Sequence, residues 1–116
     1  MTHNGERKID KAENASGGLG YITKEYLLSN EELGKNSRMY AIVTVPDGSS
    51  IGVHEHIGEE ESYYIISGTG TYIDDGKEMD VNPGDIFLCK DGHSHSIIAN
   101  KNQDIVFIGL ILKYEE

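Results

Sequence analysis

From Met39 to Leu112 the chain is cut into short runs, MYAIVTV, SIGVHEH, SYYIISG, GTYIDDG, EMDVNPGD, IFLCK, HSIIAN and IVFIGLIL. Each is about five to eight residues long, rich in β-branched or aromatic residues, and bounded by Gly, Asn, Asp or Pro. Turn signals at that spacing are the mark of an all-β sandwich or barrel. Three turns are legible from residue type. Pro46-Asp-Gly48 stops the first run, Asp75-Gly76 predicts a tight hairpin, and Asn82-Pro83-Gly84-Asp85 predicts a proline-glycine turn. With 116 residues the chain holds one domain, and 14 glycines without a tryptophan fit many short strands better than a helix bundle.

Upstream the signal fades. Residues 1–20 are polar, end in the glycine-rich SGGLG and show no period that would bury a face, so they read as an N-terminal arm, flexible or ordered against a sheet edge, in this subunit or by crossing to a second one. Residues 21–116 form the domain proper, opening with YITKEYLL as an irregular strand and SNEELGK as a short turn capped by Ser29 or Asn30. The formal charge of −10, from 20 acidic and 10 basic residues, argues against nucleic acid and anionic membrane as partners. No apolar run approaches the roughly 18 residues of a membrane helix, the opening MTHNGERKIDKAEN lacks the apolar core of a secretory signal, and Cys89 is the single cysteine. A cytoplasmic location is the resulting expectation.

His54 and His56 stand two apart in a strand-like run, so a period of two puts both imidazoles on one face and turns Glu55 away. The four residues between His56 and Glu61 are enough to turn the chain and return a carboxylate to the same place, and His95 arrives from 39 residues beyond His56. Three imidazoles and a carboxylate suit one divalent transition metal, Mn, Fe, Co, Ni or Zn, and are too rich in nitrogen for Ca or Mg. Singly, each residue reads as ordinary: a lone histidine is more often a surface or hydrogen-bonded residue, and Glu61 belongs to the acidic run Glu59-Glu60-Glu61. Jointly they do not, because three of only five histidines sit where a β scaffold can gather them.

The run Gly48, five residues, His54-Glu-His56, four residues, Glu61, six residues, Gly68 resembles the first motif of the cupin family, and Gly84-Asp85 with Gly92 and His95 resembles the second. Together they cover Gly48 to about Asn100, with two departures: Lys90 stands where the family has proline, and Ala99 where it has asparagine. The resemblance implies a double-stranded β-helix, the jelly-roll cupin barrel of two antiparallel sheets, with a metal inside held by His54, His56, Glu61 and His95 and a mouth open to solvent. It further implies a homodimer.

Four protein ligands on a six-coordinate ion leave adjacent positions for water, dioxygen or a bidentate ligand, and one net positive charge that favours a small oxyanion. His93, Tyr63 and Lys90 are the polar groups that the sequence places nearest to such a site. His93 has the parity of His95 but sits in the Gly92 turn, Tyr63 has the parity of Glu61, and all three are equally at home in packing or on the surface. Tyr72 and Arg38 are weaker candidates of the same kind. Cys89 lies in the apolar run IFLCK and reads as core, unlike the cysteine of the three-histidine thiol dioxygenases in the family. The leading expectation is a small metalloenzyme acting on an oxygen-rich metabolite by lyase, isomerase or oxygen-dependent chemistry. The alternative is a module that binds or senses the metabolite without turning it over.

Overall fold

In the run Ser37 to Val45 the odd-numbered residues Met39, Ala41, Val43 and Val45 are buried, while the even-numbered Tyr40, Ile42 and Thr44 are only half-buried. A period of two with one apolar face is what a sheet packed on a core from one side requires. The computed structural model describes residues 1–114. Its strands are β1 (Ile9–Glu13), β2 (Tyr21–Tyr26), β3 (Ser37–Val45), β4 (Ser50–Glu55), β5 (Glu59–Ser67), β6 (Gly70–Asp74), β7 (Lys77–Val81), β8 (Ile86–Cys89), β9 (Ser94–Ala99) and β10 (Ile105–Lys113).

All pairings are antiparallel and form two sheets, a six-stranded one ordered β1-β2-β3-β10-β5-β8 and a four-stranded one ordered β4-β9-β6-β7. Ile22, Val43, Val45, Tyr63, Ile65, Tyr72, Ile97, Ile105 and Phe107 meet between them as one core. This is the all-β architecture predicted from the turn spacing, with the two antiparallel sheets that the resemblance implies. The Asp75-Gly76 hairpin also forms, both residues having positive φ (46° and 83°), as a tight two-residue turn demands.

Two irregularities of register shape the end of the barrel that carries the histidines. In β4, Ile51 faces Ile97 but His54 faces His95, so one extra residue is absorbed at Gly52-Val53. That β-bulge lets Ile51 point into the core and His54 and His56 point inward too, while Val53 is left in solvent, 68% exposed. In β3 the partner of Ile111 is Met39 and that of Leu112 is Ser37, so Arg38 is the extra residue.

The segment read as an arm contains β1, which pairs with β2 of the same chain at the edge of the six-stranded sheet. Its side chains are exposed apart from Ala12, so backbone hydrogen bonds rather than apolar burial hold it. The turn after it, Ala15–Gly17, lies against β4, with Leu19 N donating to Ser50 Oγ (2.9 Å) and Ser50 N to Leu19 O (3.0 Å). The approach requires two glycines: a Cβ on Gly52 would overlap the carbonyl oxygen of Ser16, and one on Gly18 that of Ser50. The capped turn expected at Ser29 is reciprocal, Ser29 N donating to Glu32 Oε1 (2.8 Å) and Glu32 N to Ser29 Oγ (3.2 Å). Among the described residues no helix is long and apolar enough to cross a membrane.

Candidate metal centre

β4, β5 and β9 bring His54, His56, Glu61 and His95 together inside the barrel, with one donor atom of each within 4.8 Å of the others. His95 is 1% exposed, His56 4% and Glu61 5%, whereas the His54 side chain keeps 24% of its surface. Glu61 Oε1 lies 3.0 Å from His56 Nε2, 3.2 Å from His95 Nε2 and 4.0 Å from His54 Nε2, and the Nε2 atoms of His56 and His95 are 3.1 Å apart.

These spacings test the fit of an ion. With bonds of about 2.1 Å, an octahedron separates neighbouring donors by about 3.0 Å and opposite donors by about 4.2 Å, whereas a tetrahedron separates every pair by about 3.4 Å. Three distances match octahedral neighbours and the Glu61–His54 distance approaches an opposite pair. These four distances fit the corners of an octahedron better than those of a tetrahedron.

Each imidazole is also held from behind. His54 Nδ1 bonds to Gly52 O (2.8 Å), His56 Nδ1 to Glu59 Oε2 (2.5 Å) and His95 Nδ1 to the hydroxyl of Tyr72 (2.9 Å). With Nδ1 engaged in all three rings, Nε2 is the atom left to face a cation, which is how metal-binding histidines are oriented. Glu59 is in turn gripped by both arms of Arg38, Nε to Oε1 at 2.8 Å and Nη2 to Oε2 at 2.7 Å. Arg38 reaches over the mouth because it is the extra residue of β3.

The electrostatics follow. Burial alone would push the Glu61 carboxyl up, but the surrounding imidazoles of His54, His56 and His95 hold it well below the usual carboxylate range. His56 is raised, first by its bond to Glu61 and then by Glu59, against the cost of burial. His95 is lowered, because burial outweighs Glu61. A carboxylate kept ionised inside a barrel is the anionic ligand that a divalent cation needs.

A cavity of about 280 Å³ opens onto this centre, lined among others by His54, His56, Glu61, Tyr63, Lys24 and Arg38. Tyr63 is in its wall, the ring stacked on Phe107 (3.9 Å between centroids) and 5.0 Å from the His95 ring, with burial raising its hydroxyl far above the ordinary value. His93 and Lys90 do not line the cavity. His93 is turned to the β6–β7 hairpin, its Nδ1 3.2 Å from Asp74 and 3.3 Å from Asp75, and Lys90 is exposed. Cys89 is buried core, its thiol near His93 O and pushed up to about 12 by burial. Tyr72, offered by sequence as a group to reach substrate, instead braces His95. Glu59 was not singled out by sequence reasoning, although it shares the parity of Glu61 and so the inward face of β5.

The chain matches the cupin domain family over residues 41–111. It is 38% identical over 103 residues to an oxalate-binding protein of Thermotoga maritima, covering 89% of this chain and 85% of that protein. A crystal structure of a predicted oxalate decarboxylase from Thermotoga maritima superposes with a TM-score of 0.92 at 35% identity, covering 97% of this chain and 98% of the other. The structure of KdgF from Halomonas sp. shares the fold, with a TM-score of 0.78, 18% identity and coverage of 98% and 93%. With the family match spanning most of the barrel and the inward-facing histidines and glutamate lying inside it, the chain belongs to the cupin family.

Proposed function

We propose that this cupin captures a small carboxylate metabolite of the oxalate class at a divalent transition metal held by His54, His56, Glu61 and His95. The observation that carries the reading is the aim of the four donors, each imidazole braced through Nδ1 and turned by Nε2 toward the Glu61 carboxylate, with His54, His56 and Glu61 lining the cavity. On a six-coordinate ion these four side chains would leave two positions, room for two oxygens of one bidentate ligand. The metal would supply Lewis-acid attraction for those oxygens. The protein's part is to hold Glu61 ionised, fix the ring tautomers and close the site within walls of Tyr63, Phe107 and Ile111. A cavity of about 280 Å³, at the lower edge of the roughly 300–1,000 Å³ of drug-sized pockets, has room for a small metabolite. The related oxalate-binding protein supports the same class of ligand.

Binding is placed ahead of turnover because two of the three groups expected to move protons, His93 and Lys90, are outside the cavity. The deciding experiment is elemental analysis of protein purified without chelating resin, then calorimetric titration of the metal-loaded protein with oxalate. The same mixtures are followed by NMR, with and without oxygen, for products. Stoichiometric metal and saturable oxalate binding are expected. A loaded protein that binds no small carboxylate refutes the reading, and product formation converts it into an enzyme.

The reading includes a cytoplasmic homodimer. It is supported by the outer face of the six-stranded sheet, where Ile42, Ile108, Tyr64 and Ile86 stand in one cross-strand row, with Tyr64 48% and Ile86 70% exposed. Sedimentation of wild type beside Ile86→Asp tests it, since a true interface there gives monomer in the variant. Removing residues 1–20 tests whether the arm contributes to the pairing.

A further inference from the structure

β2 presents Ile22, Lys24 and Tyr26 on its inward face, and all three line the cavity that opens onto the candidate metal centre. Ile22 is 2% exposed and belongs to the core, so the next inward position along β2 is the first at which the strand meets the mouth. It carries a lysine. The other cation in the cavity, Arg38, is already neutralised by its two bonds to Glu59. Lys24 has no such partner: among the described residues no carboxylate lies within ion-pair distance of its ammonium. Its cross-strand neighbour Asp10 is engaged elsewhere, accepting from the Tyr26 hydroxyl at 3.1 Å and lying 3.8 Å from Lys8 Nζ. A half-buried lysine that lines a cavity and has no carboxylate within ion-pair distance is a donor available to an anion from outside.

We propose that Lys24 is the specificity-determining residue of the cavity, selecting dianionic dicarboxylates over monoanions by binding the carboxylate oxygens that the metal does not hold. The proposal rests on the carboxylate-binding reading above and extends it to the charge of the ligand. Charge balance supports it. Glu61 cancels one of the two charges of a divalent ion, Arg38 and Glu59 cancel each other, and Lys24 supplies a second uncompensated positive charge. A dianion neutralises the cavity, and a monoanion leaves one charge unmatched in a partly desolvated site.

The test uses Mn(II)-loaded full-length protein and calorimetric titration with oxalate, malonate and succinate. Each is compared with its isosteric monoamide, in which one carboxylate oxygen is replaced by a neutral nitrogen. For the dianion that wild type binds most tightly, Lys24→Met is expected to weaken binding about tenfold, the order of one charge-assisted hydrogen bond. It is expected to leave the monoamide within twofold and the manganese content unchanged, and Lys24→Arg is expected to retain most of the dianion affinity. Equal losses for dianion and monoamide, or no loss for either, overturn the role of Lys24 while leaving the carboxylate site in place. A loaded wild-type protein that binds none of these anions removes the carboxylate reading and this inference together.

Discussion

Tyr72→Phe isolates one hydrogen bond at the centre of the site. Tyr72 is 1% exposed, its ring is stacked on Phe87 (4.2 Å between centroids), and its hydroxyl is 2.9 Å from His95 Nδ1. Phenylalanine keeps the ring and its packing, so the loss is confined to the oxygen. His95 is 1% exposed and cannot turn to water, so its Nδ1 is left without a partner, a cost of about 1–3 kcal/mol for a buried polar group. For a chain of this length a loss of 1 kcal/mol lowers the thermal midpoint by about 4 °C, so the metal-free variant should melt about 4–12 °C lower. The affinity for metal falls as well. With a cation on Nε2 the Nδ1–H becomes a stronger donor, so the missing acceptor costs more in the loaded state, and changes of this kind typically lower affinity 10–100-fold. Differential scanning calorimetry of the metal-free protein and competition with a chelator of known affinity read the two effects separately. A variant with an unchanged midpoint and a metal affinity within twofold of wild type would show that Tyr72 does not brace His95, and the reasoning would fail.

Acid should destabilise the metal-free protein through Glu59 and Glu61, both held below their ordinary values, Glu59 first by Arg38 and Glu61 by the histidines against burial. Their contribution is present above the unfolded value of about 4.3 and is lost as pH falls toward the folded values, so thermal midpoints measured from pH 6 to 3 should drop. Glu61→Gln should flatten that drop, and an identical slope in wild type and variant would count against it. Gly52→Ala should push the Ala15–Gly17 turn off β4 and disturb the carbonyl that holds His54, lowering the melting temperature by several degrees and weakening metal together; a variant with wild-type stability would show that the approach is loose. His93→Ala and Lys90→Ala should leave metal stoichiometry unchanged by elemental analysis, because neither side chain belongs to the cluster of His54, His56, Glu61 and His95; loss of metal in either would contradict that assignment.

What was legible in the sequence is what a period of two and a turn can encode. Met39 to Val45 alternates, the Asp75-Gly76 hairpin needs its glycine, and His54 with His56 must share a face once their run is a strand. β1 was not legible because IDKAE buries almost nothing, and an edge strand held by backbone bonds leaves no apolar pattern to read. Glu59 was hidden for another reason. It sits in a run of three glutamates, and parity groups it with Glu61 without saying that it meets His56 and Arg38, a meeting set by the turn before β5 and the extra residue in β3. His93 could be read two ways: its parity matches His95, but it sits in the Gly92 turn before the strand, and there Asp74 and Asp75 of a neighbouring hairpin hold it.

The acceptors behind the three imidazoles differ, and this has a kinetic consequence. His56 is backed by a carboxylate and His95 by a buried phenol, but His54 is backed by a backbone carbonyl and is the imidazole with the most surface in solvent. A proton or a chelator arriving from the mouth therefore meets His54 first, while the deeper pair stays closed by packing. Dissociation of a bound ion is then expected to be an ordered unlatching that begins at His54 on the rim. A change that loosens only His54 should speed metal dissociation by about the factor by which it weakens binding and leave the association rate nearly unchanged.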